Sequence, residues 1–190
     1  MQKEIVLCYY GLMKETKTPT KDFIDIYSHA YTMLKDRTPV MFDCGNLCSS
    51  ACCHDNGLGM LLFPYEDIFI NSIPNDFIIK NSNIVIDGYT VKLLYCKGTC
   101  NRNIRPLACR IFPLFPYTYE DNRVSVKFDP RASGTCPLLL TDVEGIYMSG
   151  VFRLMIYKTA LMLIDNPLIQ AFLIHMTKEL ETIGSFKLNL

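Results

Sequence analysis

The sequence predicts an α+β fold: small antiparallel β-hairpins and cysteine-rich loops, with an N-terminal helix and a C-terminal helical pair. Three observations predict it. Apolar residues recur at helical spacing near both ends, β-prone runs joined by turn residues fill the middle, and eight of the nine cysteines fall within 44–136. A length of 190 residues suits a single domain, with a cysteine-rich module over about 40–140 and a helical part over about 142–184.

The first helix follows Thr18-Pro19-Thr20, where Thr20 is the expected N-cap, and carries Phe23, Tyr27, Ala30, Tyr31 and Leu34 on one face; it should end before Pro39. Residues 59–63 form a short apolar run. Pro64-Tyr65-Glu66-Asp67 then predicts a short helix through Asn71, with Pro in the first turn and the acids at the positive end. Asp87-Gly88 separates two β-prone runs, 84–86 and 89–95, which predicts a hairpin with a two-residue turn. A second hairpin is expected from 114–119 and 123–128, turning at Glu120-Asp121-Asn122. Two helices finish the chain. One is expected from Asp142 or Glu144 to Ile164; the other follows the Asn166 cap and Pro167, buries Leu168, Phe172, Met176, Leu180 and Ile183, and stops at Gly184.

Composition narrows the function classes. Nineteen basic side chains balance nineteen acidic ones and 49% of residues are hydrophobic, which fits a folded chain and excludes a general nucleic-acid binder, whose affinity rests on neutralising many phosphates. The opening residues lack a convincing secretory signal. The longest apolar segment, 146–164, contains Arg153 and Lys158, so no membrane span is expected. A cytoplasmic setting follows as an expectation. There, clustered thiols serve more often as metal ligands or redox groups than as static disulfides.

The cysteines read Cys44-x3-Cys48-x3-Cys52-Cys53, then Cys96-x3-Cys100, then Cys109 within RPLACRIFP, then Cys136 before Pro137. A soft divalent ion or an iron–sulfur cluster needs about four converging thiolates, and short spacers let one segment supply several. Cys52 and Cys53 are neighbours, so their side chains diverge: either they serve two centres, or one ligates and the other packs. Eight thiols permit two sites of four, or one site with spare cysteines. From 89 to 119 there is no Asp or Glu, whereas Lys92, Lys97, Arg102, Arg105 and Arg110 all occur. Such cations stabilise the net negative charge of a tetrathiolate centre; Arg105 and Arg110, flanking Cys109, are the candidates to sit beside the cofactor.

The run CGNLCSSACC, the later CKGTCNRNIRPLACRIFP and Cys136-Pro137 together resemble the YkgJ-type cysteine-cluster family of zinc- or iron-chelating domains, whose signature is CxxCxxCC followed by RPxxCRxFP. The second box is matched at every specified position, by Arg105, Pro106, Cys109, Arg110, Phe112 and Pro113; the first departs, because both spacers hold three residues. Over this module the family is similar to bacterial flagellin lysine N-methylases. The resemblance implies metal binding through Cys44, Cys48, Cys52, Cys53, Cys96, Cys100, Cys109 and Cys136, and tips the expected occupant from zinc toward an iron–sulfur cluster, [4Fe–4S] in type. Electron transfer or redox sensing is the expected role. A SAM-dependent protein-lysine methylase, or a subunit of one, is the enzymatic rival; a structural zinc module presenting its helices to a protein partner is the third class.

The remaining motifs add little. No GxGxxG or GxxxxGK[ST] loop occurs. His54 follows Cys53 and is a dispensable candidate ligand, and Cys8 reads as a packed thiol. Glu66, Asp67 and Asp87 read as cap and turn residues.

Overall fold

The apolar stripe from Phe23 to Leu34 drives the first helix, α1 (Pro19–Met33), onto the core, where Phe23, Tyr27, Ala30, Tyr31 and Leu34 are all buried. The computed structural model describes residues 19–53, 59–98, 100–139 and 148–187. Because α1 starts one residue ahead of Thr20, Thr20 lies in the first turn instead of capping it. Two short helices follow, α2 (Gly45–Cys48) and α3 (Glu66–Asn71), separated by the strand β1 (Met60–Leu61). Pro64 precedes α3 and is not part of its first turn; the residue between them, Tyr65, has φ 60° and swings the chain into the helix.

Strands β2 (Ile78–Ile86) and β3 (Tyr89–Tyr95) form the expected hairpin. Asp87 and Gly88 have φ of 48° and 79°, the paired positive values of a type I′ turn, which is why Asp-Gly predicts it. The strand β2 begins well before residue 84. Its early part, Lys80-Asn81-Ser82-Asn83, has weak strand propensity, and pairing with β3 holds it in the ladder, with an irregularity between Asn81 and Val85. The strand β1 adds to the other edge of β3, giving the antiparallel order β1-β3-β2 with Met60 opposite Leu94.

Gly59 leads into this edge at φ +66°, and a Cβ built there would stand 2.9 Å from Leu93 Cγ and 3.2 Å from the Leu94 carbonyl. Gly59→Ala is therefore expected to lower stability by at least about 1–2 kcal/mol, the cost of a left-handed L-residue alone, read as an earlier urea midpoint at unchanged slope.

The rest of the chain supplies the main core. Helix α4 (Leu107–Ile111) leads into the hairpin β4 (Leu114–Thr118) and β5 (Val124–Phe128). Helices α5 (Gly150–Leu163) and α6 (Pro167–Lys187) pack against that hairpin, and α5 also packs against α1. Phe63 meets Phe172 of α6 at 5.2 Å between ring centroids. The Thr118 amide donates to Thr177 Oγ1 of α6 at 2.8 Å, so the strand end is satisfied by the helix lying on it.

Two helix boundaries differ from expectation. The first of the C-terminal pair starts later than 142 or 144, because Ser149 caps it by accepting from the Phe152 amide. The second begins as expected, with Asn166 Oδ1 accepting from the Leu168 and Ile169 amides, but runs through Gly184 to Lys187. Gly184 does not stop it: this glycine faces the Pro130 ring, where a Cβ would lie 4.0 Å away, and helix packing outweighs the local preference. No described helix is long and apolar enough to cross a membrane.

Candidate metal centre

The RPLACRIFP segment does not present Cys109 from a loop. Pro106 and Pro113 bracket just enough chain for one helical turn, α4, with Pro106 at its N-cap, and the Phe112–Pro113 peptide is cis. A carboxylate that the sequence reading took for a cap anchors this turn. Glu66 is fully buried; its Oε1 accepts from Tyr31 Oη at 2.8 Å and from the Leu107 amide at 2.7 Å, while Oε2 accepts from the Phe63 amide at 3.0 Å. One side chain thus joins α1, the start of α3 and the start of α4. Burial pushes its carboxyl above the ordinary value, although the bonds from Leu107, Tyr31 and Phe63 and the charge of Arg110 pull it back.

Arg110 is the second clamp. Its Nε donates to the Arg105 carbonyl at 2.6 Å and its Nη2 to the Asn103 carbonyl at 2.8 Å, and the guanidinium lies 4.3 Å from the centre of the Tyr31 ring. It holds the strand of chain that carries Arg105. Arg105 is the arginine most influenced by sulfur: burial works against its charge, but Cys100 first, then Cys53 and Cys109, raise its guanidinium above the ordinary value. Its Nε is buried with no partner of its own.

The cysteines reach the same region from four segments. Cys44 precedes α2 and Cys48 ends it, with Cys48 Sγ 3.9 Å from the Cys44 carbonyl; the one-turn spacing puts both on one face. Ser49 and Ser50 then both adopt positive φ, reversing the chain into a 3₁₀ turn at Ala51–Cys53. Cys52 and Cys53 stand 4.0 Å apart, sulfur to sulfur. Cys96 follows β3 directly and packs on Leu62, Ile70 and Leu94. Cys109 donates toward Met60 Sδ at 3.2 Å, which places it beside β1.

Cys136 depends on a second buried carboxylate. Asp129 receives the Arg131 guanidinium on both oxygens and accepts from the Arg131 amide; its own amide donates to the Pro113 carbonyl. This fixes a 3₁₀ turn at Pro130–Ala132, from which the Cys136 amide donates to the Ala132 carbonyl at 2.9 Å. One narrow pocket is lined by Cys44, Cys48, Cys52, Cys109 and Cys136 together with Arg102, Arg105 and Arg110.

Of the five expected cations, three line that pocket. Lys92 instead bonds Asn81 Oδ1 at 2.7 Å on the sheet, and Lys97 pairs with Asp76 at 3.0 Å in solvent. Lys92 lies within β3 opposite Asn81 of β2, and Lys97 lies just past the end of β3.

None of the eight described cysteines is in a disulfide. Burial holds the Cys44, Cys100, Cys109 and Cys136 thiols up, and neighbouring sulfur charges add to it; Arg102 opposes this at Cys44 and Arg105 at Cys100 and Cys109. At Cys52 the hydrogen bond with Cys53 is the main cause, with burial second. As the side chains lie, no three or more His, Cys, Asp or Glu among the described residues stand close enough to hold an ion. The donor chemistry fits a soft metal, an all-sulfur set with arginines beside it, and loading would have to draw the thiols together and expel their protons.

Cys8 and His54 lie outside the described residues. Sequence reasoning missed Glu66 and Asp129. Asp129 carried a local signal, an Asp before a Pro that opens a turn; Glu66 carried none, because the groups it serves are 35 and 41 residues away. No family model, curated protein or solved structure matches this chain.

Proposed function

We propose that the protein is a cytoplasmic metal-binding protein in which Cys44, Cys48, Cys52, Cys53, Cys96, Cys100, Cys109 and Cys136 supply thiolates to one or two centres, iron–sulfur in type, with an electron-transfer or redox-sensing role. One observation carries the reading: Cys44, Cys48, Cys52, Cys109 and Cys136, from three separate segments, line a single pocket together with Arg102, Arg105 and Arg110. Thiols placed there for packing alone need no guanidinium beside them. Three or four thiolates on iron carry net negative charge, and arginine donors offset it and raise the potential of the centre. The cluster supplies one-electron chemistry when bound; the chain's residues hold it, shield it and set its charge.

Anaerobic purification followed by iron, zinc and acid-labile sulfide analysis tests this. Iron and sulfide in matching amounts are expected, with Cys109→Ser lowering both. Stoichiometric zinc without sulfide would replace the cluster by a zinc site. A metal-free chain with its cysteines paired as disulfides overturns metal binding altogether.

A further inference from the structure

We infer that Cys52 and Cys53 are an oxidative modification site, a dithiol that a hydroperoxide converts reversibly into a vicinal disulfide; its consequence for bound metal rests on the metal-binding reading above, whereas the disulfide itself does not.

Adjacent side chains diverge in a regular helix or strand, and the sequence alone predicts that here. The structure brings them together instead, with the Cys52 and Cys53 sulfurs 4.0 Å apart. An irregular backbone leads into the pair. Ser49 and Ser50 hold φ of 49° and 58°, a conformation that costs a residue with a side chain about 1–2 kcal/mol. The Ser50 amide donates to the Gly45 carbonyl at 2.9 Å and the Cys53 amide to the Ser50 carbonyl at 2.7 Å, so the reversal is held from both sides. Access follows from the same turn. Among the described cysteines Cys52 is the exposed one, so a peroxide from solvent meets it first, with Cys53 already in place as the resolving thiol. The hydrogen bond between the two sulfurs keeps the Cys52 proton in place, so the pair answers to sustained peroxide and not to traces of it.

The reaction closes without a further reagent. One sulfur takes an oxygen from the hydroperoxide and becomes a sulfenic acid, while the other peroxide oxygen leaves with a proton as water or an alcohol. The second sulfur displaces the sulfenic hydroxyl, which departs with that thiol's proton as water. Two thiols have lost two electrons and two protons, and the peroxide bond has taken them up. The sulfurs must close by about 2 Å to bond, and their Cα atoms, about 3.8 Å apart across one trans peptide, are nearer than the ~4.4–6.8 Å usual for a disulfide. The ring is therefore strained, and strained, exposed disulfides are the readily reduced, regulatory ones. A disulfide sulfur is no longer a thiolate, so oxidation withdraws two ligands from the proposed centre and metal leaves.

The full chain, reduced and metal-free, is treated with hydrogen peroxide under nitrogen, blocked with iodoacetamide in urea and cut with chymotrypsin, which cleaves after Leu47. Tandem mass spectrometry is expected to show a peptide beginning at Cys48 that is two hydrogens lighter, with Cys48 alkylated and Cys52 and Cys53 unlabelled; dithiothreitol before blocking should restore both labels. Cys53→Ser should stop at a Cys52 sulfenic acid, trapped by dimedone. Full alkylation of both cysteines after peroxide, a bond from Cys52 to Cys48 or Cys109, or oxidation that dithiothreitol does not reverse overturns the site. The wild-type map decides even if the variant unfolds. In a second arm the reduced chain is loaded with Cd²⁺, which is soft and redox-inert, and its release by peroxide is followed with a chelating dye. Release in step with the loss of both labels is expected. A disulfide formed with cadmium retained overturns the consequence for metal. No cadmium bound at the outset overturns the metal-binding reading, and the peptide map still decides the site.

Discussion

Glu66→Ala is expected to lower the unfolding free energy by about 3–5 kcal/mol, because it leaves the Tyr31 hydroxyl and the Phe63 and Leu107 amides buried without their shared acceptor and opens a cavity among them. Urea unfolding of the reduced chain measures it. Glu66→Gln keeps the shape but points an amide N–H at the Phe63 amide, so a loss of about 1–2 kcal/mol is expected. The two variants also differ from wild type in pH dependence. Burial raises the carboxyl above its ordinary value of 4.5 in the folded state, so the stability associated with the protonated form is present below that value and is lost as pH rises through the raised one. Glutamine has no such step. The wild-type advantage over Glu66→Gln should therefore shrink as pH rises from about 4 toward neutrality; a constant difference would show that Glu66 titrates as it does in the unfolded chain.

Arg110→Met is the second large effect. It keeps an apolar stem over Tyr31 but strips the Arg105 and Asn103 carbonyls of their charged donors. A loss of about 2–3 kcal/mol is expected, the usual worth of hydrogen bonds to a charged group. Arg110→Lys should not restore it, because one ammonium on a flexible stem cannot reproduce a planar fork aimed at two carbonyls. Both variants loosen the chain that carries Arg105, so both should lose metal to a chelator faster than wild type. Equal metal retention in all three would separate the clamp from the thiol site.

How much of this was legible in the sequence depended on range. The α1 stripe, the Asp87-Gly88 turn and the Asn166-Pro167 helix start are decided by residues within a turn of one another, and the structure places all three as expected. Gly184 and the start of α5 went the other way. The first yields to packing on the Pro130 turn; the second is set by Ser149, a cap that the long apolar run after residue 142 obscured. The cysteine groups were countable from spacing, but their arrangement was not. Which thiols neighbour which is fixed by the pairing of β1 with β3 and by two buried carboxylates, none of which leaves a mark near the cysteines themselves.

The three bonds to Glu66 also set an order of events as the chain is made. Its partner on α1 precedes it by 35 residues and its partner on α4 follows it by 41, so the scaffold that presents Cys109 closes only after residue 107 has emerged and packed. By then Cys44, Cys48, Cys52 and Cys53 have already left the ribosome as four unsupported thiols. On the proposed metal-binding reading, those thiols would meet thiophilic ions before their arginine-lined pocket exists, and closure of the Glu66 junction is the step that completes it.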